Sequence, residues 1–296
     1  MNIPVVIQAA RPNFLILTPV CIFLGVAASL VTLTEINWLF LTLATLGALL
    51  AHVSVNTLNE YADFKSGLDS QTIRTAFSGG SGALPNNPSG AQDVLIVGVV
   101  SLLLTAVIGL YFIFQYGLII LGISALGGVI IVSYTNWLNR HPWLCLVSPG
   151  LAFGVLMVVG VEIVLTGKVE PSSWLVALVP FFLVNNLLLL NQYPDIEADK
   201  VVGRRHLAIT YGVNTANIIY ASFVVATALA IIGGVYWQML PMTSLAALTL
   251  LPVALFSLWG AMKHREQIGL HPKYLGANVA VAIITPLLLA LSLIWH

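Results

Sequence analysis

Long stretches without a charged side chain are the feature that most constrains how this chain folds. Several stretches contain no Asp, Glu, Lys or Arg, and each exceeds the roughly 20 residues that a helix needs to cross the hydrocarbon core of a bilayer. The two longest are each expected to hold two helices, with breaks near Tyr116 and between Trp237 and Pro241. The chain is therefore predicted to be an integral membrane protein. These stretches include 12–34, 94–139, 171–194, 207–262 and 274–296.

The unbroken apolar runs predict a helical bundle rather than a membrane β-barrel. Barrel strands alternate apolar and polar residues, and that alternation is absent from this sequence. Hydrophobic residues make up 59% of the chain, and the mean hydropathy is +0.98. We expect an all-α integral membrane protein with nine transmembrane helices in a single domain, residues 1–296, with a weak internal repeat relating spans 1–4 to spans 5–8. The predicted spans are 13–33, 37–58, 93–114, 117–136, 142–163, 172–192, 213–234, 241–262 and 275–294.

The positions of the basic residues predict the orientation of the chain. With nine spans, ten of the eleven Lys and Arg residues lie on the side of the N-terminus, and only Lys168 lies on the other side. Because cytoplasmic loops carry an excess of Lys and Arg, the N-terminus should be cytoplasmic and the C-terminus on the far face. We expect a multi-pass protein of the inner (cytoplasmic) cell membrane.

The acidic residues are gathered in two short windows. Six of the eleven fall in residues 60–69 and 195–199, which follow spans 2 and 6 and so face the same side of the membrane. At helical spacing, each window extends a polar stripe along one face of the preceding helix. The two windows are therefore expected to meet. The stripes consist of Asn56, Glu60 and Asp63 in the first window and of Asn191, Asp195 and Asp199 in the second.

This grouping of carboxylates predicts a bound divalent cation. Unpaired carboxylates that are packed together repel one another and resist desolvation, so a cation should bind between them. Oxygen ligands without a nearby set of Cys or His suit Mg²⁺, which is usually shared with a substrate phosphate. The alternative is that these are solvated loop acids. We expect this for Glu197, which lies off the stripe and is either solvated or paired with Lys200 or Arg204.

A polar loop and several basic residues accompany the two acidic windows. Residues 70–90 are too polar to cross the membrane, and their run SGGSG at 78–82 could turn N–H groups toward phosphate oxygens, with a flexible linker as the alternative. Lys65, Arg74 and Lys200 are candidates for contacts with an anion, although topology alone also explains basic residues on this side. Together, the acidic windows with a bound cation, the basic residues and the apolar bundle predict binding of a diphosphate attached to a lipid tail, such as a polyprenyl diphosphate.

Three runs of sequence carry a resemblance to a known family. They are N-x-x-N-E-Y-x-D-x-x-x-G-x-D from Asn56 to Asp69, R-T-x-F-S-G-G-S-G from Arg74 to Gly82, and N-Q-Y-P-D-I-E-A-D-K-x-x-G-R-R from Asn191 to Arg205. They resemble the UbiA superfamily of intramembrane aromatic prenyltransferases, whose start is similar to A-R-P-x-F-L at 10–15. The first run is most similar to the menaquinone-pathway branch, the 1,4-dihydroxy-2-naphthoate polyprenyltransferases.

The resemblance implies a function and a set of site residues. It implies a nine-helix bundle with a cytoplasm-facing active site that transfers a polyprenyl group from polyprenyl diphosphate to 1,4-dihydroxy-2-naphthoate, with Mg²⁺ as cofactor. The expected partners are these two substrates and the lipid bilayer, with no nucleic acid. The residues that would hold Mg²⁺ on the diphosphate are Asp63, Asp69, Asp195 and Asp199, with Asn59 or Glu60 at the first site and Asn191 at the second.

Some features leave alternatives open. Glu60 stands where the family more usually has Asp, and Tyr193 with Pro194 stands where the branch often has an Arg before its second motif. Other acceptors therefore stay open: 4-hydroxybenzoate, homogentisate or a non-quinone compound. A transporter is the rival from another class, although these acids lie at helix ends rather than at the bilayer midplane.

Two further side chains, Tyr134 and His52, are candidates for contacts at the site. Tyr134 could face an allylic cation through its ring, with an interfacial tyrosine as the alternative. His52 lies one turn from Asn56, and we expect it to form a hydrogen bond between helices.

Overall fold

The computed structural model describes residues 1–72, 74–75 and 77–295, and helices are the only regular secondary structure within them. Several helices begin at a proline, whose missing N–H has no helical partner in a first turn. The helices are α1 (Ile3–Ala9), α2 (Leu17–Ser29), α3 (Trp38–Ser66), α4 (Ala91–Tyr116), α5 (Leu118–Ser133), α6 (Pro142–Thr166), α7 (Pro171–Asn191), α8 (Ile196–Val201), α9 (Leu207–Tyr236), α10 (Leu251–His264) and α11 (Pro272–Ile294). Further helical segments, most of them 3₁₀ helices, are Pro12–Leu15, Leu68–Ser70, Ala83–Asn86, Pro88–Gly90, Leu138–Arg140, Met242–Leu250 and Arg265–Leu270.

The apolar helices correspond to the predicted spans. In the described part of the chain, eight helical stretches are long and apolar enough to cross a membrane. The remaining predicted span, 117–136, is α5, whose 16 residues extend about 24 Å at 1.5 Å per residue, less than the roughly 30 Å of a hydrocarbon core. The count of nine crossings therefore stays a prediction. Both predicted breaks are confirmed, because α4 ends at Tyr116 and α9 ends at Tyr236.

Two glycines let α6 and α7 approach each other closely. A Cβ atom at Gly150 would lie 2.1 Å from the carbonyl oxygen of Phe181, and one at Gly154 would lie 2.4 Å from its backbone nitrogen. The α6 backbone widens into a π-helix just after Gly150, and the Gly150 N–H donates to Asn185 Oδ1 at 2.6 Å. Small residues at a helix crossing allow close packing in membranes. These contacts therefore fix α7 against α6 around Phe181 and Asn185.

A buried polar network joins α7, α9 and α11. The Asn186 side chain donates to the Tyr220 carbonyl at 3.0 Å, and the Tyr220 hydroxyl donates to Asn278 Oδ1 at 2.9 Å. Asn278 returns a bond to the Asn186 carbonyl at 3.0 Å. Such bonds between membrane helices contribute about 0.6 to 2 kcal/mol each. They fix the helix that leads into the second acidic window.

Candidate active site

One cavity of about 760 Å³ runs along α3. The α3 residues that line it extend from Ala44 to Asp63, which is about 28 Å at 1.5 Å per residue. One end of the cavity, here called the mouth, is lined by the polar residues of both acidic windows, whereas the interior is apolar. The interior residues include Ile108, Phe112, Ile123, Leu156 and Val164. The cavity therefore suits a ligand with an anionic head and a long apolar tail.

Four aspartates from the two windows lie together at the mouth. Asp63 belongs to the last turns of α3 and Asp69 to the turn that follows it. Asp195 precedes α8, and Asp199 lies within that helix. All four side chains line the cavity, although more than one hundred positions separate the windows in the chain. The expected meeting of the two windows is present in the structure.

A guanidinium group joins the two windows directly. Arg204 donates through Nη2 to Asp63 Oδ1 and through Nη1 to Asp199 Oδ1 at 3.0 Å. His206 Nε2 lies 3.3 Å from the other Asp199 oxygen. Because Arg presents a rigid planar fork of donors, one side chain can bind two carboxylates at once. Arg204 thus holds the end of α3 against α8.

Several buried oxygen atoms at the mouth have no hydrogen-bond partner among the described residues. They are Asp69 Oδ2, Asn139 Oδ1, Asn191 Oδ1 and Asp195 Oδ1. Buried acceptors without a donor are costly, so each requires a water, an ion or a ligand. Oxygen donors of this kind suit Mg²⁺. Among the described residues, no group of three or more Asp, Glu, His or Cys side chains is arranged to hold a metal ion by itself; Mg²⁺ sites commonly take further ligands from substrate phosphate and water.

Burial raises the pKa of two carboxyl groups at the mouth, those of Asp69 and Asp195. The pKa of Asp69 is raised to about 7 by burial and then by the negative charges of Glu60 and Asp63. The pKa of Asp195 is also raised to about 7, by burial and then by Asp199, although the Gly79 N–H acts in the opposite direction. A nearby cation favours the ionised form of such groups. The mouth is therefore an environment that binds positive charge.

The amide and phenol residues predicted for the site also line the cavity. Asn56 donates to the Ala10 carbonyl at 2.9 Å, and Asn59 donates to Asp63 Oδ2 at 2.8 Å. Thr135 in turn donates to Asn59 Oδ1 at 3.0 Å. These bonds orient the α3 side chains. The other two predicted residues of this kind that line the cavity are Tyr134 and Asn191.

Four residues predicted to bind substrate do not line the cavity. Lys65 is exposed, and its amine lies 5.7 Å from the centre of the Tyr61 ring. Arg74 is exposed and donates to Asn86 Oδ1 at 3.3 Å. Lys200 pairs in solvent with Glu197 at 2.6 Å, as expected for Glu197. The reason is helical geometry, because the helix faces of Lys65 and Lys200 point away from the mouth.

The fourth of these residues is Glu60. It is fully buried, but both of its carboxylate oxygens are bound by Arg11 and Ser81. The expectation for His52 is confirmed, since its Nδ1 lies 2.8 Å from Thr18 Oγ1 on α2.

Two arginines at the mouth were not among the predicted site residues. Arg11 lines the cavity and has a left-handed backbone with φ of 53°, a conformation that is uncommon for residues other than glycine. Its partner Glu60 is 49 positions away, so spacing gave no signal, although Arg11 lies in the A-R-P-x-F-L run. Arg204 follows Asp199 by five positions. This closeness in sequence to the second window was the one signal that could have indicated a role for Arg204 in the site.

Comparisons with known proteins identify the family and the fold of the chain. The UbiA prenyltransferase family model matches residues 18–294. The 1,4-dihydroxy-2-naphthoate octaprenyltransferase of Bacillus subtilis (strain 168) is 30% identical over 230 residues, which are 74% of this chain and 70% of that protein. An apo UbiA homolog from Aeropyrum pernix K1 superposes with a TM-score of 0.67 at 16% identity, covering 93% of this chain and 96% of that one. A UbiA homolog from Archaeoglobus fulgidus bound to DMAPP and Mg²⁺ gives 0.61 at 14% identity, covering 94% and 98%.

Proposed function

This chain belongs to the UbiA prenyltransferase family, and on that premise we propose that it transfers a polyprenyl group from polyprenyl diphosphate to 1,4-dihydroxy-2-naphthoate in a Mg²⁺-dependent step of menaquinone biosynthesis. The observation that carries the proposal is the cavity that runs along about 28 Å of α3, with four aspartates at its mouth and mainly apolar side chains farther inside. A diphosphate with a long isoprenoid tail has the matching shape and polarity. The similarity to the Bacillus subtilis octaprenyltransferase supports the choice of acceptor.

The mouth residues would bind the diphosphate head. Asp63, Asp69, Asp195 and Asp199 are the residues that would hold Mg²⁺, which when bound neutralises charge on the leaving diphosphate. Arg204 lies between two of these aspartates and would add a fixed positive charge near the leaving group. The transporter alternative has less support, because the acids lie at one end of the bundle.

The apolar interior would protect the reaction from water. When the allylic C1–O bond ionises, the carbon carries positive charge, and water would capture it wherever water could enter. The interior side chains exclude water around the tail, so the aromatic ring is the nearest nucleophile. Tyr134 lines the cavity, and its ring would stabilise the cation if it faces C1. The new bond would join C1 to the ring carbon that carries the carboxylate; the bond from that carbon to the carboxylate then breaks, CO₂ leaves, and the electrons of the broken bond restore the aromatic ring.

A reconstituted assay tests the reaction and the acceptor together. Purified protein is incubated with radiolabelled polyprenyl diphosphate and a panel of dihydroxynaphthoate, 4-hydroxybenzoate and homogentisate. We expect product and diphosphate release with dihydroxynaphthoate, loss of activity in EDTA and recovery on adding Mg²⁺. Transfer only to another acceptor would change the proposed substrate. Full activity in the chelator would contradict the metal requirement.

The proposed orientation puts the mouth on the cytoplasmic side of the cell membrane. Single cysteines replacing Lys65 and Lys200, both exposed at the mouth end, should react with an impermeant thiol reagent only from the cytoplasm. A cysteine replacing the exposed Lys168 should react only from the other side. The two native cysteines are buried and provide a low background. Labelling of Lys65→Cys and Lys200→Cys from opposite faces would exclude a shared site.

A further inference from the structure

Glu60 is the acid whose carboxylate contacts set it apart from the aspartates at the mouth. Its Oε1 accepts a bond from Ser81 Oγ at 2.5 Å. Its Oε2 accepts one from the Ser81 backbone N–H at 3.2 Å and lies 3.2 Å from Arg11 Nη2. The side chain is fully buried and does not line the cavity. In contrast, Asp69 and Asp195 each keep a buried oxygen without a partner among the described residues. Both Glu60 oxygens thus have partners within the protein, and the side chain lies outside the cavity lining where a metal ion would be shared with the diphosphate.

The residue that Glu60 binds lies in the glycine-rich loop. Ser81 also accepts a bond at its carbonyl from Gln8 Nε2 at 2.8 Å, and its hydroxyl oxygen accepts the Ala83 N–H at 3.0 Å. Its contacts thus join the loop to α3 and to α1, and they include charge-assisted hydrogen bonds, which are stronger than neutral ones. Ser81 is therefore one point at which the loop is fixed to the rest of the protein.

The same loop contacts an aspartate from each acidic window. The Gly79 N–H donates to Asp195 Oδ2 at 2.9 Å. Gly80 has a φ of 75°, and a Cβ atom there would lie 2.6 Å from Asp69 Oδ1. Gly79, Gly80 and Ser81 all line the cavity. Where the loop is held therefore decides how its backbone N–H groups are presented to an anion at the mouth.

We propose that Glu60 is a positioning residue, which fixes the glycine-rich loop over the cavity mouth through Ser81 and Arg11 and so holds the Gly79 and Gly80 backbone beside Asp195 and Asp69, where the diphosphate would bind. The role of the diphosphate rests on the proposed function, whereas the fixing of the loop does not. Glu60 then acts on binding of the prenyl diphosphate and leaves the metal requirement unchanged.

The test compares Glu60→Gln with Asp63→Asn in three measurements: hydrogen exchange of the loop amides, KM for polyprenyl diphosphate, and the Mg²⁺ concentration for half-maximal activity. Loss of the charged contacts in Glu60→Gln should speed exchange over residues 78–82 by about tenfold and raise KM by about tenfold, since charge-assisted bonds contribute on this scale. Its Mg²⁺ requirement should match that of the wild type. Asp63→Asn should show the reverse pattern, with a higher Mg²⁺ requirement and unchanged exchange in the loop.

Ser81→Ala removes only the hydroxyl and keeps the proposal testable if Glu60→Gln folds poorly. It should shift loop exchange and KM in the same direction by a smaller factor, and the double variant should be less impaired than the product of the single effects. Glu197→Gln is the matched control, because it neutralises an exposed acid that pairs only with Lys200.

Two results would overturn the assignment. A Mg²⁺ requirement raised in Glu60→Gln as much as in Asp63→Asn would make Glu60 a metal ligand. Unchanged loop exchange, or faster exchange without any change in KM, would remove the positioning role. Absence of prenyl transfer to every acceptor would refute the proposed function. Hydrogen exchange is measured without turnover, so it would still show whether Glu60 holds the loop.

Discussion

The two acidic windows have similar compositions and use their glutamates in opposite ways. Each directs two aspartates toward the cavity mouth. In the first window, Glu60 is fully buried and binds Arg11 and Ser81, which come from distant parts of the chain. In the second, Glu197 has an 82% exposed side chain and pairs with Lys200 three positions away. The number of carboxylates in a window therefore overstates the number available to a metal ion. The hydrogen-bond partners and exposure of each side chain distinguish the aspartates that line the cavity from the glutamates that do not.

The windows also differ in their source of positive charge. Arg204 follows the second window but binds an aspartate from each. The basic residues nearest the first window in sequence, Lys65 and Arg74, are exposed outside the cavity. Asp63 of the first window is thus bound by a cation that follows the second window, whereas Glu60 is bound by Arg11. The two windows form one unit, and their variants should not behave independently.

The largest expected effect comes from neutralising one aspartate in each window. Asp63→Asn and Asp195→Asn should each lower turnover by at least about a hundredfold, the scale of losing one preorganised electrostatic contact. Because both act on one ionisation step, the double variant should be far less impaired than the product of the two losses. Steady-state kinetics on folded protein measures this. Near-normal turnover in either single variant would separate the windows into independent sites.

Arg204 should give the next largest effect. Arg204→Lys keeps the charge but lacks the planar fork that reaches two carboxylates, so we expect roughly a tenfold loss of turnover. Arg204→Ala leaves two buried carboxylates without their shared partner, and we expect a loss of about 3 kcal/mol in unfolding free energy. Denaturant titration in detergent measures that loss. If Lys restores full activity and stability, a point charge is sufficient and the bridging geometry is unimportant.

The pKa values predict how stability depends on pH. In the folded protein the carboxyl pKa of Asp195 is raised from 3.8 to about 7, so folding favours its protonated form. That contribution is fully present below about pH 4 and is lost as the pH rises through about 7. In EDTA the thermal midpoint should therefore fall between about pH 5 and pH 8. The fall should be smaller in Asp195→Asn, which does not titrate, and an identical pH profile for this variant would contradict the shift.

The smallest expected effect belongs to Glu197. Exposed ion pairs contribute little to stability, about 0 to 1 kcal/mol, and this side chain lies outside the cavity. Glu197→Gln should therefore change turnover by less than roughly tenfold, with an unchanged Mg²⁺ requirement. A loss as large as that of Asp195→Asn would mean that the second window uses its glutamate for the reaction, and the difference between the two windows would disappear.

The sequence by itself determined the membrane bundle, the breaks after Tyr116 and Tyr236, and the aspartates that reach the mouth. These are properties of short segments, because hydrophobicity decides which stretches enter a bilayer and helical periodicity decides which side chains share a face. The same local reasoning gave Lys200 as one of the possible partners of Glu197, and the two residues pair as neighbours on one helix.

Only the tertiary structure decided which cations and which acid serve the site. Arg11 and Glu60 are 49 positions apart, and Arg204 and Asp63 are 141 positions apart. No periodicity within a segment encodes such pairs, since they depend on how separate helices pack. The burial of Glu60 is equally non-local, because the loop residue Ser81 and the left-handed backbone at Arg11 bring its partners to it. Long-range packing thus converted one of six clustered acids from a candidate ligand into a support for the loop.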